Sequence, residues 1–150
     1  MSDFERDIIQ CLNRFFTTHH LQGFSYRVKP QKGIRRVADI LVDSAVSSYN
    51  LSIGCISIKD KKLYFSQHFH AGNDNVHPVE AMSAFLGTTG RTGFLAIEYR
   101  HGPDAPHESF LIPWETVVEH YNKNQGITKD DARKHIALKR YREGYVLDHF

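Results

Sequence analysis

The chain has 150 residues, of which 41% are hydrophobic, and its formal net charge is +2 at pH 7. This length and hydrophobic fraction predict one domain, residues 1–150, with a single core. No apolar run reaches the roughly 18 to 20 residues that cross a bilayer, and the first residues lack the basic start and apolar run of a signal peptide. We therefore expect a soluble, cytoplasmic protein, and the nearly balanced charge permits nucleic-acid binding without requiring it.

The first predicted element is an amphipathic helix over residues 2–17. Ser2 and Glu5 have the spacing of a capping box at its start. The apolar residues that recur at the helical period are Phe4, Ile8, Cys11, Leu12, Phe15 and Phe16. Because they share one side of the helix, we expect the helix to cover one face of a sheet.

A basic stretch follows the first predicted strand, which spans residues 24–28. Its basic residues are Arg27, Lys29, Lys32, Arg35 and Arg36, and Lys61 and Lys62 add further charge later in the chain. Beside a phosphodiester such residues would contact backbone phosphates, and these contacts are sensitive to salt and independent of sequence. Loops are also basic merely for solubility, and the sequence leaves both interpretations open.

A β-hairpin is predicted from residues 37–43 and 53–59, where apolar residues alternate with polar or small ones. A hairpin centred on Ser48 would set Asp39 opposite Ser57, and Lys59 would share their face about 6.6 Å farther along the strand. A carboxylate and a lysine on one face suit a site in which the carboxylate binds Mg²⁺ and the lysine acts on water or phosphate. The alternative is that Asp39 ends a strand near solvent and Lys59 is an ordinary surface charge.

Asp39 followed by Ser57-Ile58-Lys59 resembles the motif of the PD-(D/E)XK, or restriction-endonuclease-like, nucleases. Within that superfamily the chain is most similar to Holliday junction resolvases of the RecU type, and the similarity extends to residues 77–82, 93–99, 110–113, 132–138 and 143–145. The resemblance implies an α/β fold with a mixed sheet flanked by helices. It also implies Mg²⁺-dependent hydrolysis of branched DNA during recombination, by a homodimer that cuts two opposed strands symmetrically.

One position departs from the nuclease motif, because Ser57 stands where the motif has a metal-binding Glu or Asp. A serine hydroxyl is a neutral, weak metal ligand. The resemblance offers Glu5 on the first helix and Glu80 on a following helix as replacements, with the metal held by Asp39 and Glu80. The alternative for Glu5 is that it only completes the helix cap, and the alternative for Glu80 is helix-start electrostatics. Without a replacement, the chain would be an inactive nuclease fold that binds DNA or a protein.

The remaining predicted elements are strands over residues 63–67, 94–99 and 109–112, helices over 79–86 and 114–121, and a short helix ending near residue 135. His68, His70 and His77 raise a separate hypothesis, a transition-metal site unrelated to nucleases. The basic and aromatic residues 140–147 would either stack on unpaired bases or dock on the domain itself or on a dimer partner. Cys11 and Cys55 are expected to be reduced core thiols.

Overall fold

The computed structural model describes residues 3–33, 35–72, 74–102, 106–142 and 144–150. Ser2 of the predicted capping box and Glu143 of the tail lie outside the described residues. The helices are α1 (Asp3–Thr18), α2 (Phe65–His68), α3 (Pro78–Thr89), α4 (Trp114–Asn122) and α5 (Lys129–Ala132). The strands are β1 (Phe24–Arg27), β2 (Ile40–Asp43), β3 (Leu51–Ile58), β4 (Lys62–Leu63), β5 (Thr92–Tyr99), β6 (Glu108–Pro113), β7 (Ile127–Thr128), β8 (Ile136–Tyr141) and β9 (Gly144–Val146).

Seven of the described strands form one mixed sheet in the order β1-β2-β3-β5-β6-β8-β9, while β4 and β7 pair separately. The pair β3 and β5 is parallel, and the other neighbouring pairs of this sheet are antiparallel. The strands β1, β3, β5 and β8 therefore run in one direction and end at one edge of the sheet, which we call the carboxyl edge. The predicted mixed sheet flanked by helices is confirmed.

The apolar stripe of α1 packs on one face of the sheet, as its helical period predicts. The α1 residues in this core are Phe4, Ile8, Cys11, Leu12, Phe15 and Phe16, and the sheet contributes Val42, Leu51, Ile53, Phe94 and Ala96 among others. Burial of each large side chain contributes about 1.5–3 kcal/mol. The first turns of α1 reach the carboxyl edge, since Glu5 lies 3.8 Å from Arg27 at the end of β1.

The helices α3 and α4 cover the opposite face of the sheet. Pro78 occupies the first turn of α3, and the His77 side chain caps it by accepting a 3.1 Å hydrogen bond from the Val79 N–H at Nδ1. Gly90 ends the helix with a left-handed φ of 73°, and its N–H donates to the Leu86 carbonyl. The core on this side includes Val79, Met82, Leu95, Ile97, Trp114 and Val117.

Two segments differ from the sequence predictions. The predicted strand at residues 63–67 is instead the end of β4 followed by α2, because the Tyr64 N–H donates to His68 Nδ1 at 2.8 Å and closes a helical turn. The tail forms the antiparallel pair β8 and β9. Tyr145 is 1% exposed and its ring meets the Phe4 ring edge-on, so this part of the tail docks on its own domain.

None of the described helices is both long and apolar enough to cross a membrane. Cys11 and Cys55 are free thiols, as expected. Cys11 lies on the buried side of α1, and burial raises the pKa of its thiol to about 12. The thiol of Cys11 is therefore an inert part of the core.

Candidate functional site

Asp39 lies directly before β2, where that strand separates from β3. Its carboxylate Oδ2 accepts a 2.7 Å hydrogen bond from the Cys55 N–H, in the place of a strand carbonyl. The predicted pairing with Ser57 is wrong, because β2 and β3 pair Ile40 with Ile53 rather than with Ile56. The reason is that β3 begins two residues earlier than predicted, which shortens the connection and shifts the register.

Arg36 holds the carboxylates of Asp39 and Glu5 together. Its Nη2 atom lies 2.6 Å from Asp39 Oδ1 and 3.6 Å from Glu5 Oε1. Glu5 is only 8% exposed, and Arg27 Nε approaches the same Oε1 atom at 3.8 Å. The structure therefore brings Glu5 and Asp39 to one guanidinium group. We call these four side chains and Cys55 the arginine-carboxylate cluster.

Burial raises the pKa of two groups of the cluster, the Asp39 carboxyl and the Cys55 thiol. For Asp39, the Glu5 charge adds to the effect of burial, whereas the hydrogen bond from the Cys55 N–H and the Arg36 charge lower the pKa. Burial also raises the pKa of the Cys55 thiol well above its ordinary value, and the charges of Asp39 and Glu5 add to this effect. Cys55 is therefore a neutral thiol at physiological pH.

The cluster does not fit a magnesium ion as it stands. Mg²⁺ takes oxygen ligands in octahedral geometry, and a guanidinium has no atom to offer as a ligand. Arg36 lies against the two carboxylates that would bind the ion, and the neutral Cys55 thiol supplies no charge in their place. Across the described ranges no group of three or more His, Cys, Asp or Glu side chains is arranged to hold a metal ion.

Glu80 does not join Asp39, contrary to the prediction. It lies exposed in the first turn of α3, on the side of the sheet away from α1. Its carboxylate interacts with Tyr121 of α4, whose pKa is raised by burial and by the Glu80 charge. The role that this geometry leaves to Glu80 is the helix-start electrostatics considered as its alternative.

Ser57 interacts with a carboxylate that the sequence analysis missed. Its hydroxyl donates to Glu98 Oε1 at 2.7 Å, and the Tyr145 hydroxyl donates to Glu98 Oε2 at 2.7 Å. Glu98 is 6% exposed and lies beside Ser57 because β3 and β5 pair in parallel. A lone acidic residue inside the apolar segment 94–99 is the signal that could have identified it.

A cavity of about 420 Å³ opens beside Glu98, under the first turns of α1. Its lining includes Asp3, Asp7, Ser57, Arg100, His107 and Arg140. His107 Nδ1 lies 3.5 Å from Glu98 Oε2. Burial raises the pKa of Asp7, with Arg140 lowering it and Glu98 raising it. The lining of this cavity thus contains both acidic and basic side chains, and neither sign of charge is in clear excess.

The predicted phosphate-binding residues gather at the carboxyl edge, because the segments after β1, β3 and β5 all leave the sheet there. Their surroundings differ. Arg27 and Arg36 belong to the arginine-carboxylate cluster, and Arg35 pairs with Asp74 at 2.5 Å. The exposed lysines are Lys29, Lys32, Lys59 and Lys61, and within the described part of the chain none of them forms an ion pair.

Lys59 and Lys62 have separate surroundings. Lys59 follows the last residue of β3 and lines a cavity with Lys61 and Arg100, so it faces solvent rather than the arginine-carboxylate cluster. Lys62 is half-buried, and its ammonium lies 5.7 Å from the centre of the Tyr64 ring. The geometry therefore keeps Lys59 available to an anion but not beside Asp39.

The histidines proposed for a transition metal have other partners. His68 Nδ1 accepts from the Tyr64 N–H, so its Nε2 carries the proton and donates to Asp60 at 2.7 Å. His77 caps α3 through Nδ1 and donates from Nε2 to the Phe65 carbonyl at 2.9 Å. Both ring nitrogens of His68 and both of His77 are thus engaged in hydrogen bonds. No group of three possible metal ligands, with or without His70, occurs among the described residues, so the histidine metal hypothesis receives no support.

No family model matches the chain, and no curated protein matches it either. Among solved structures it is similar to Hjc of Archaeoglobus fulgidus, a Holliday junction resolvase from an archaeal hyperthermophile. The TM-score is 0.55 and the identity 18%, over 89% of this chain and 90% of that chain. This likeness shows that the two proteins share a fold, a mixed sheet flanked by helices. The finer resemblance to the RecU type stays a prediction.

Proposed function

We propose that this protein binds branched DNA at the carboxyl edge of its sheet and does not hydrolyse it at Asp39 with a bound metal ion. The observation that carries this proposal is the position of Arg36, 2.6 Å from Asp39 and 3.6 Å from Glu5. An arginine there supplies the positive charge that a metal ion would supply to the two carboxylates. It cannot activate a water molecule as a metal ion does.

Three features support nucleic acid as the ligand. Lys29 and Lys32 follow β1, and Lys59 and Lys61 follow β3, so exposed cations from two segments line one edge of the sheet. Each lysine that neutralises a phosphate releases a counterion, and this release drives binding. The fold is that of a nuclease, and the solved structure to which it is similar is named as a Holliday junction resolvase, which favours branched DNA over linear duplex.

The test is a comparison of two labelled DNA molecules by fluorescence anisotropy over a range of salt concentrations. One is a four-way junction, and the other is a linear duplex with the sequence of two of its arms. We expect the junction to bind at least about tenfold more tightly, with an affinity that falls steeply as salt rises. Equal affinities would contradict recognition of the branch, and absence of binding would contradict a nucleic-acid ligand.

The second candidate function is the one that the resemblance to nucleases implies, Mg²⁺-dependent hydrolysis of branched DNA. One observation favours it, because Glu5 and Asp39 already share one cation, Arg36. Hydrolysis would require Arg36 to leave, further oxygen ligands such as water to complete an octahedral shell, and Lys59 to turn toward the cluster. Cleavage of a four-way junction in Mg²⁺ distinguishes the two candidates.

The homodimer implied by the resemblance belongs to the same proposal. Phe24 on the edge strand β1 is 62% exposed and stacks on Tyr26, which leaves an apolar surface at this edge of the sheet. Light scattering of the protein with and without junction DNA tests the dimer. A monomer in both samples would contradict it.

A further inference from the structure

A second cavity lies at the carboxyl edge, between the segments that follow β3 and β5. Its volume is about 620 Å³, which is within the range of small-molecule sites. Its lining includes Lys59, Asp60, Lys61, Arg100, His101 and His107. The backbone N–H of Arg100 donates to the Ile58 carbonyl at 2.8 Å, so the two segments start from a fixed separation.

Three cations line this cavity, the ammonium groups of Lys59 and Lys61 and the guanidinium of Arg100. Lys59 and Lys61 are exposed and form no ion pair with any described residue. The Nε atom of Arg100 is buried, and no hydrogen-bond acceptor for it occurs in the described segments. A buried donor without an acceptor costs about 1–3 kcal/mol, more when it is charged. Because this atom is closed to solvent, an anion can supply the acceptor only when the Arg100 side chain turns toward the cavity.

The acidic residue of the cavity is engaged elsewhere. Asp60 accepts a 2.7 Å hydrogen bond from His68 Nε2, outside the cavity lining. His101 is held at 2.8 Å from Glu108, and His107 approaches Glu98 at 3.5 Å. Two lysines and one arginine share the cavity with a single carboxylate, that of Asp60, so the lining keeps a net positive charge.

We propose that this cavity binds a phosphate group, with Lys59 and Lys61 as point charges and Arg100 as the planar donor. Arginine presents parallel N–H groups that match two phosphate oxygens, and lysine ammonium groups complete the charge. A phosphate monoester suits these three cations better than an internal phosphodiester, because it carries up to about two negative charges at pH 7 and the diester carries one. The inference deepens the proposed function and rests on it for the source of the phosphate, a DNA strand end.

The first experiment titrates the full chain with inorganic phosphate and follows backbone amide shifts by NMR and heat by calorimetry. We expect shifts at residues 59–62 and 100–102. Lys59→Gln, Lys61→Gln and Arg100→Gln should each weaken binding by about tenfold. Lys123→Gln removes the same charge at an exposed position at the end of α4, outside the cavity lining, and should change the affinity less than about twofold. Since Arg100 is partly buried, the two lysine variants keep the test valid if Arg100→Gln fails to fold.

A second arm compares single-stranded oligonucleotides that carry either a 5′-phosphate or a 5′-hydroxyl group. Tighter binding of the phosphorylated strand, lost in Lys59→Gln, supports a strand end as the source. Equal binding of both strands overturns that source. Failure of inorganic phosphate to bind, or equal loss in Lys123→Gln and Lys59→Gln, overturns the site itself.

The two proposals fail in different ways. If the junction binds and inorganic phosphate does not, the phosphate site is overturned and the proposed function stands. If inorganic phosphate binds and the junction does not, branched-DNA binding is overturned and the phosphate site stands with a free phosphate ion or ester as its ligand.

Discussion

Arg36 and Asp39, three residues apart in sequence, form a 2.6 Å ion pair at the place where β2 leaves β3. The exposed fraction of the Arg36 side chain is 24%, and that of the Asp39 side chain is 23%. Arg36→Gln would leave the Asp39 carboxylate partly buried without its cation, so we expect a loss of about 1.5–3 kcal/mol in the free energy of unfolding. Denaturant unfolding measures this loss.

The control for Arg36 is its neighbour Arg35, which pairs with the half-exposed Asp74. Arg35→Gln should cost less than about 1 kcal/mol, since solvent screens that pair. The double variant Arg36→Gln with Asp39→Asn should lose less than the sum of its single variants. Equal losses in Arg35→Gln and Arg36→Gln would show that the cluster contributes nothing beyond an ordinary surface pair.

The hydrogen bond from Tyr145 to Glu98 gives a second stability test. Tyr145→Phe removes a 2.7 Å donor from a carboxylate that is 6% exposed, and we expect a loss of about 1–2 kcal/mol in unfolding free energy. Tyr141→Phe is the matched control, because Tyr141 is 52% exposed and the same hydroxyl is removed. A similar effect of both variants would contradict the buried hydrogen bond.

Glu108 gives the pH test. Although burial raises its pKa, hydrogen bonds from Lys129, His101 and Arg133 together lower it to about 2, from an ordinary value of 4.5. A carboxyl group with a lower pKa in the folded state stabilises the fold above its unfolded pKa and loses this contribution as pH falls. Wild type should therefore exceed Glu108→Gln in stability above pH 4.5, and the difference should vanish as pH approaches 2.

Unfolding curves of both proteins across this pH range check the prediction. Glu119→Gln, at an exposed position on α4, is the control and should show a small difference that changes little with pH. A difference between wild type and Glu108→Gln that grows as pH falls would have the opposite sign to the predicted linkage.

Lys29 and Lys32 test the basic loop after β1. Each is exposed, and replacing it with Ala should weaken junction binding and reduce the slope of log affinity against log salt by about 1. Gln22→Glu is the control, because Gln22 is exposed before β1, at the opposite edge, and changes the net charge equally. If all three variants shift binding alike, net charge explains the effect and the loop has no specific contact.

Local periodicity was enough to predict much of the fold. The apolar stripe of α1 and the apolar run of β5 both depend on the residues' own spacing, and both elements are found. The site depended on longer-range relations. Ser57 meets Glu98 only through the parallel pairing of β3 with β5, which are 41 residues apart at this contact. No local pattern encodes that pairing.

The prediction of the register between β2 and β3 was wrong for a related reason. The centre of the predicted hairpin depended on where β3 begins. The sequence of residues 44–52 gave no boundary that distinguished Leu51 from Ile53 as the first residue of the strand. Arg36 was assigned to phosphate contact because a basic loop does not reveal which of its charges fold back onto buried carboxylates. The role of Asp39 in a functional site stays a prediction, and the structure surrounds it with Arg36, Glu5 and Cys55 rather than with Ser57.

The most direct test is incubation of a four-way junction with Mg²⁺ or Mn²⁺ and the wild-type protein, Asp39→Ala or Lys59→Ala. Binding and cleavage are measured in the same samples. Our account predicts that the wild-type protein binds the junction and leaves both strands intact. Cleavage by the wild-type protein that disappears in Asp39→Ala would contradict it, and would mean that Arg36 yields its place to a metal ion when DNA binds.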